Sequence, residues 1–201
     1  MDDAAWRAPS RCAGWSARDL LYHQLLDAQR ALRTLALPSG GTPDVDFITY
    51  WHDYDVHQNA ADAAAHAEFV RRAAGAYPST NWLSFLWDET SRAASNAARA
   101  CDLDARVTTQ GHVLTVADFI ATLTTEAAIH HLDFIPGSRA PNSLAPSLAL
   151  AARTLDGLLG QQRPLPWSDE DYLLRGTGRV ALSDAERAQA GNLAARFPVI
   201  T

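Results

Sequence analysis

The sequence predicts a mainly α protein, a four-helix bundle followed by a small C-terminal extension of helix and β-hairpin. Three observations carry that expectation. The stretch Thr115 to Phe134, TVADFIATLTTEAAIHHLDF, opens on Thr115-x-x-Asp118, and no Gly or Pro interrupts it before Pro136. That opening sets side-chain oxygens where the free N–H groups of a helix start need them. Ser16-x-x-Asp19 opens a second long run, which ends at Pro38-Ser-Gly-Gly. Between the two, Ala60 to Ala76 and Thr80 to Ala100 each read as one helix, and four long helices pack most simply as a bundle.

Taken in order, Met1 to Ala13 lack periodicity and are expected along the surface. The helix after Ser16 carries a dry stripe (Leu21, Leu25, Ala28, Leu32, Leu35) and a mixed one (Leu20, His23, Gln24, Asp27, Ala31, Thr34). From this helix alone, the mixed stripe reads as a solvated flank. The connection from residue 40 to 59 is rich in aromatics (Phe47, Tyr50, Trp51, Tyr54), and a long loop of that content packs over something. His52 and His57 within it read as partly exposed or as a pocket edge.

The Ala-rich helix to Ala76 is closed by Gly75 and Pro78. The next is aromatic at its start (Trp82, Phe85, Trp87) and small further on (Ala93, Ala94, Ala97, Ala98). Small side chains let helices approach, and the aromatic end leaves room for a cavity; core packing is the alternative for each Trp. Arg106 to Val113 reads as a short extended connector.

After the break at Pro136-Gly and Pro141-Asn, Leu144 to Leu159 is helical again. Tyr172 to Leu182 reads as a small hairpin turned by Gly176-Thr177-Gly178. Ser183-x-x-Glu186 caps a last helix, to about Arg196. The expected division is a bundle over 1–140 and an extension over 141–201.

Composition excludes some functions. A net charge of -6 has the wrong sign for a nucleic-acid surface. No apolar run approaches a bilayer span. The acidic, polar start MDDAAWRAPS is unlike a secretory signal, so a cytoplasmic protein is expected. Cys12 and Cys101 are then free thiols. Every basic residue is Arg, which with the abundant Ala reads as a high-GC coding bias.

Wound at about 100° per residue, the stretch from Thr115 gathers Val116, Phe119, Ile120, Leu123, Glu126, Ala127, His130 and Phe134 on one face. Glu126 and His130 are neighbours one turn apart inside that apolar stripe. A carboxylate on a core face is costly unless paired or metal-bound. Zinc takes both donor types, and a catalytic site has three protein ligands and an open position. His23 is the best third candidate, since bundles build such sites from facing helices. A hydrogen-bonded pair without metal satisfies the same residues, and the residues alone leave that open. Asp133 could orient His130 from behind or close the helix end; Asp27, one turn past His23, could steady that ring or face solvent.

The segments APSRCAGWSARDLLYHQLLDA and GHVLTVADFIATLTTEAAIHHLDF resemble the mycothiol-dependent maleylpyruvate isomerase family of the DinB-like superfamily. The resemblance covers roughly residues 6 to 135. It implies a DinB-like bundle holding a divalent metal, usually zinc, by a His of the first helix and a Glu-x-x-x-His pair of the last. Those positions match His23, Glu126 and His130. It implies mycothiol as thiol cosubstrate, and fits an actinobacterial source. Gln24 departs from the family, which usually has an apolar residue there, so substrate choice is not carried over.

The expected chemistry is thiol transfer to an electrophilic small molecule, or thiol-assisted isomerisation, the metal keeping the thiol ionised. A cavity is expected near Tyr50, Trp82 and Phe85. Neither cysteine is near the ligands in sequence, so the nucleophile is expected from the cosubstrate. Two alternatives remain: the metal as Lewis acid or water activator without a thiol, and a non-catalytic protein whose metal is closed by His52, His57 or His112. Arg179 is expected at the surface.

Overall fold

The computed structural model describes residues 3–53, 60–134 and 141–200, and among them eight α-helices and one two-stranded hairpin. Tyr54, His57 and the Pro136-Gly break lie outside the described residues. The first thirteen residues hold a short helix, α1 (Asp3–Arg7), where none was expected. α2 (Ala17–Ala36) starts on a reciprocal cap: Ser16 Oγ accepts from Asp19 N–H and the Asp19 carboxylate accepts from Ser16 N–H. α3 is Ala60–Ala76 and α4 is Thr80–Ala100, capped by Ser79.

The connection between α2 and α3 does pack inward. Tyr50 and Trp51, in a 3-10 turn over Thr49–Asp53, are buried against Leu114. A hairpin follows α4: β1 (Arg106–Thr109) and β2 (His112–Thr115) pair antiparallel, with Thr109 opposite His112. Gln110 (φ 49°) and Gly111 (φ 88°) make the tight turn, with both central residues left-handed. α5 is Val116–Phe134, α6 Ala145–Leu159, α7 Asp169–Gly176 and α8 Asp184–Ala190.

The expected hairpin at Tyr172–Leu182 is therefore a correction. Its first half is α7, begun by a Ser168 cap on Asp171 N–H with three acids in the first turn, which favour a helix start. Tyr172, Leu173 and Leu174 are buried consecutively, which a half-exposed strand does not allow. The hairpin stands instead where a connector was expected.

α2 is the central helix, packed by α3, α4 and α5. Leu20, Ala31 and Thr34 of its mixed stripe are buried, so that face is no solvated flank. α5 is also covered twice, by α2 and by α6. Its driest positions include Thr122 and Thr125 on the α6 side, while Ile120, Leu123, Glu126, His130 and Phe134 are half-buried and Ala127 is exposed. The predicted stripe is thus one flank of a wider buried arc. Thr122 Oγ1 donates to the Phe119 carbonyl and Thr125 Oγ1 meets Thr154 Oγ1 at 3.2 Å, so hydroxyls sit in the core at little cost. No helix among the described residues is long and apolar enough to cross a membrane.

Candidate metal centre

α2 and α5 bring His23, Glu126 and His130 together, with one ligand atom of each within 4.8 Å of the others. His23 Nε2 lies 3.5 Å from Glu126 Oε1, and the two imidazoles face each other edge-on, centroids 4.8 Å apart. Two imidazole nitrogens and a carboxylate oxygen are a donor set that zinc accepts.

The surroundings fit such an ion. Asp133 Oδ2 lies 3.0 Å from His130 Nδ1. It fixes the proton there and leaves the other ring nitrogen free to act as a donor atom. Asp133 is itself buried and held by Arg179, whose Nε and Nη2 donate to its two oxygens at 3.1 and 3.0 Å. Burial pushes the Asp133 carboxyl up, but His130 and Arg179 outweigh it and hold it at about 2. Arg179 is therefore no surface residue.

A second arginine serves Glu126. Arg30 Nη2 donates to Glu126 Oε2 at 2.8 Å and to Asp27 Oδ1 at 3.1 Å. Its Nη1 reaches the Tyr50 hydroxyl at 3.0 Å and Gln110 Oε1 at 2.5 Å. One oxygen of Glu126 is thus committed to a guanidinium, and the other faces His23. Burial raises the Glu126 carboxyl, yet the His23 hydrogen bond and the charges of Arg30, His23 and His130 lower it further. Asp27 shifts the opposite way, raised by burial and by the charge of Glu126. Burial alone lowers His23, but Glu126 and Asp27 bring it above the ordinary value; His130 falls, chiefly by burial.

Four neighbours were not singled out in the sequence. Cys12 arrives from the loop before α2, which is tied to the end of α5 by Arg11 N–H donating to the Asp133 carbonyl at 3.0 Å. Its Sγ lies 3.2 Å from Asp133 Oδ2 and 3.8 Å from His130 Nδ1. Burial and then the Asp133 charge push this thiol up to about 12, so it is a protonated donor rather than a nucleophile. Cys12, His130 and Asp133 are also close enough to group around an ion. Both Asp133 oxygens are already engaged by Arg179, which makes this set the support behind His130. Trp15 (5.2 Å) and His66 (5.8 Å) bring their rings to His23. Arg30 carried the one available signal: it is seven residues, two turns, past His23.

The remaining sequence candidates divide. Gln24 Nε2 donates to Asp27 Oδ2 at 3.2 Å, and Asp27 Oδ2 is 3.6 Å from His23 Nε2. Tyr50 is buried and reaches the site through Arg30. Trp82 and Phe85 are each 57% exposed, and Leu83 is the residue α4 turns inward there. His112 pairs with Asp44 at 3.1 Å and His52 is exposed; neither joins the ligand group. Among the described residues, a groove of about 860 Å³ runs between α4 and α5, floored by α2 and touching Gln24 and Asp27; neither Trp82 nor Phe85 lines it.

The model of the family described as mycothiol maleylpyruvate isomerase N-terminal domain matches residues 1–135. No curated protein and no solved structure matches the sequence.

Proposed function

This chain belongs to the mycothiol maleylpyruvate isomerase N-terminal domain family, and from that premise we propose that it is a zinc-dependent enzyme using mycothiol against an electrophilic small molecule, as thiol transferase or isomerase. The observation that carries this is the convergence of His23, Glu126 and His130 from two helices, with ligand atoms within 4.8 Å. These three residues would hold the metal. When bound, the metal supplies a Lewis-acidic position at which a thiol loses its proton at neutral pH.

The protein's own residues set the rest. Asp133 keeps the proton of His130 on Nδ1. Arg30 holds Glu126 in one orientation and balances its charge. The attacking sulfur forms a bond to the electrophilic carbon, and the displaced π pair moves onto the conjugated oxygen. Protonation of that adduct completes addition; rotation about the new single bond and expulsion of sulfur completes isomerisation. In this reading the bundle over 1–140 carries the chemistry, and the extension over 141–201 contributes Arg179; α6 and α7 pack on α5. The setting is the cytoplasm, where small thiols stay reduced.

The test is turnover of an activated enone by the zinc-loaded protein, with and without mycothiol. Turnover that requires both metal and thiol supports the reading. Equal turnover without thiol overturns it in favour of Lewis-acid or water chemistry, and zinc binding without turnover points to a non-catalytic role.

A further inference from the structure

The groove between α4 and α5 is a large feature that the metal chemistry leaves unexplained. Along α2 its floor runs from Leu21 to Leu35, about 21 Å at a 1.5 Å rise per residue. Its walls pair large apolar side chains (Trp87, Ile120, Leu123) with small ones (Ala98, Ala127, Ser91). The small residues do not draw the helices together; they leave the space. A volume of about 860 Å³ lies within the range of small-molecule pockets.

Its ionisable lining is Asp27, Asp88 and His131; no Arg lines it among the described residues. Arg30 and Arg92 are turned to those two carboxylates as ion-pair partners. With both carboxylates already paired, a carboxylate or sulfonate in the groove gives up its hydration and meets no guanidinium on the wall, so an uncharged body is favoured. The groove also adjoins the metal centre: Gln24 and Asp27 belong to its wall, and Asp27 Oδ2 is 3.6 Å from His23 Nε2.

We propose that this groove binds the apolar body of an uncharged organic substrate, with its reactive end at Gln24 and Asp27 beside His23. The chain is then selective for elongated hydrophobic electrophiles over small dicarboxylates. Concavity favours such an occupant over a second copy, since two facing grooves leave water between them. The identity of the occupant as electrophile rests on the thiol chemistry proposed above; the groove's affinity for apolar molecules does not.

The test uses the zinc-loaded protein and two near-isosteric dyes, neutral N-phenyl-1-naphthylamine and anionic 8-anilino-1-naphthalenesulfonate, titrated by fluorescence. The neutral dye should bind about tenfold or more tighter than the anionic one. Ala127→Trp on α5 and Ser91→Trp on α4, which fill the groove from opposite walls, should each weaken neutral-dye binding about tenfold. Circular dichroism and zinc content should not change. Equal binding of the two dyes, no effect of either filled-groove variant, or a solution dimer that excludes the neutral dye would overturn the proposal. Dye binding without thiol-dependent turnover would sink the enzymatic reading and leave the groove; the reverse result would sink the groove alone.

Discussion

Asp133 is the residue on which most of the site depends. It is buried with its carboxylate divided between His130, Cys12 and Arg179. Asp133→Asn keeps the shape but weakens the hold on His130, and zinc affinity should fall about 10–100-fold, read by competition with a chelating dye. Arg179→Ala strips a buried carboxylate of its guanidinium partner and should cost about 3–5 kcal/mol in urea unfolding. Adding Asp133→Asn to that variant should recover part of the loss, because the uncompensated charge is gone. His23→Ala should abolish stoichiometric zinc while leaving helix content intact, since α2 keeps its buried Leu20, Leu21 and Leu25. The spacing of Glu126 and His130 was visible in sequence because one helix sets it. Arg179 was not, because its partner is 46 residues away and its surroundings are polar.

Among the elements, the hairpin turn does more than join α4 to α5. Gln110 sits at φ 49°, and its side-chain oxygen accepts from Arg30 and from the Tyr50 hydroxyl. Gln110→Ala should leave the hairpin in place yet loosen Arg30 from Glu126, lowering zinc affinity more than stability. Gly111→Ala does the opposite: φ 88° strains any side chain, and unfolding should show a loss of about 1–2 kcal/mol with zinc affinity unchanged. α2, α4, α7 and α8 were all marked by Ser at the cap, a local signal that a sequence displays directly. Tyr172–Leu182 was misread because Gly176 and Gly178 suggested a turn. Ser168-x-x-Asp171 is the stronger local signal, and Gly176 is needed for another reason: a Cβ there would collide with Leu155 of α6.

For the whole molecule, the C-terminal part is joined to the bundle by burial and by charge. α6 covers the threonine face of α5, and Arg179 reaches the far side of the candidate metal centre. Within that part, Glu186 ties α8 to α7 and to Trp167: it accepts from Ser183 N–H at 2.8 Å, Trp167 Nε1 at 2.9 Å and Arg175 Nε at 2.6 Å. The Ser183 backbone bond first, then these partners, hold its carboxyl at about 2 against an ordinary 4.5. A depressed carboxyl stabilises the fold above its unfolded value, and that contribution is lost as pH falls through the folded one. The difference in melting temperature between wild type and Glu186→Gln should therefore be present at pH 7 and close between about pH 4.5 and pH 2. The sequence by itself determined the starts of α2, α5 and α8, the four long helices and the Glu-x-x-x-His spacing, because caps and periodicity act within a few residues. Only the tertiary structure decided that α2 is central and α5 doubly covered. It also decided that Arg30, Cys12 and Arg179 surround the candidate ligands and that a groove opens between α4 and α5. Those are contacts between distant segments, and which face meets which is set by how all the helices share one buried volume.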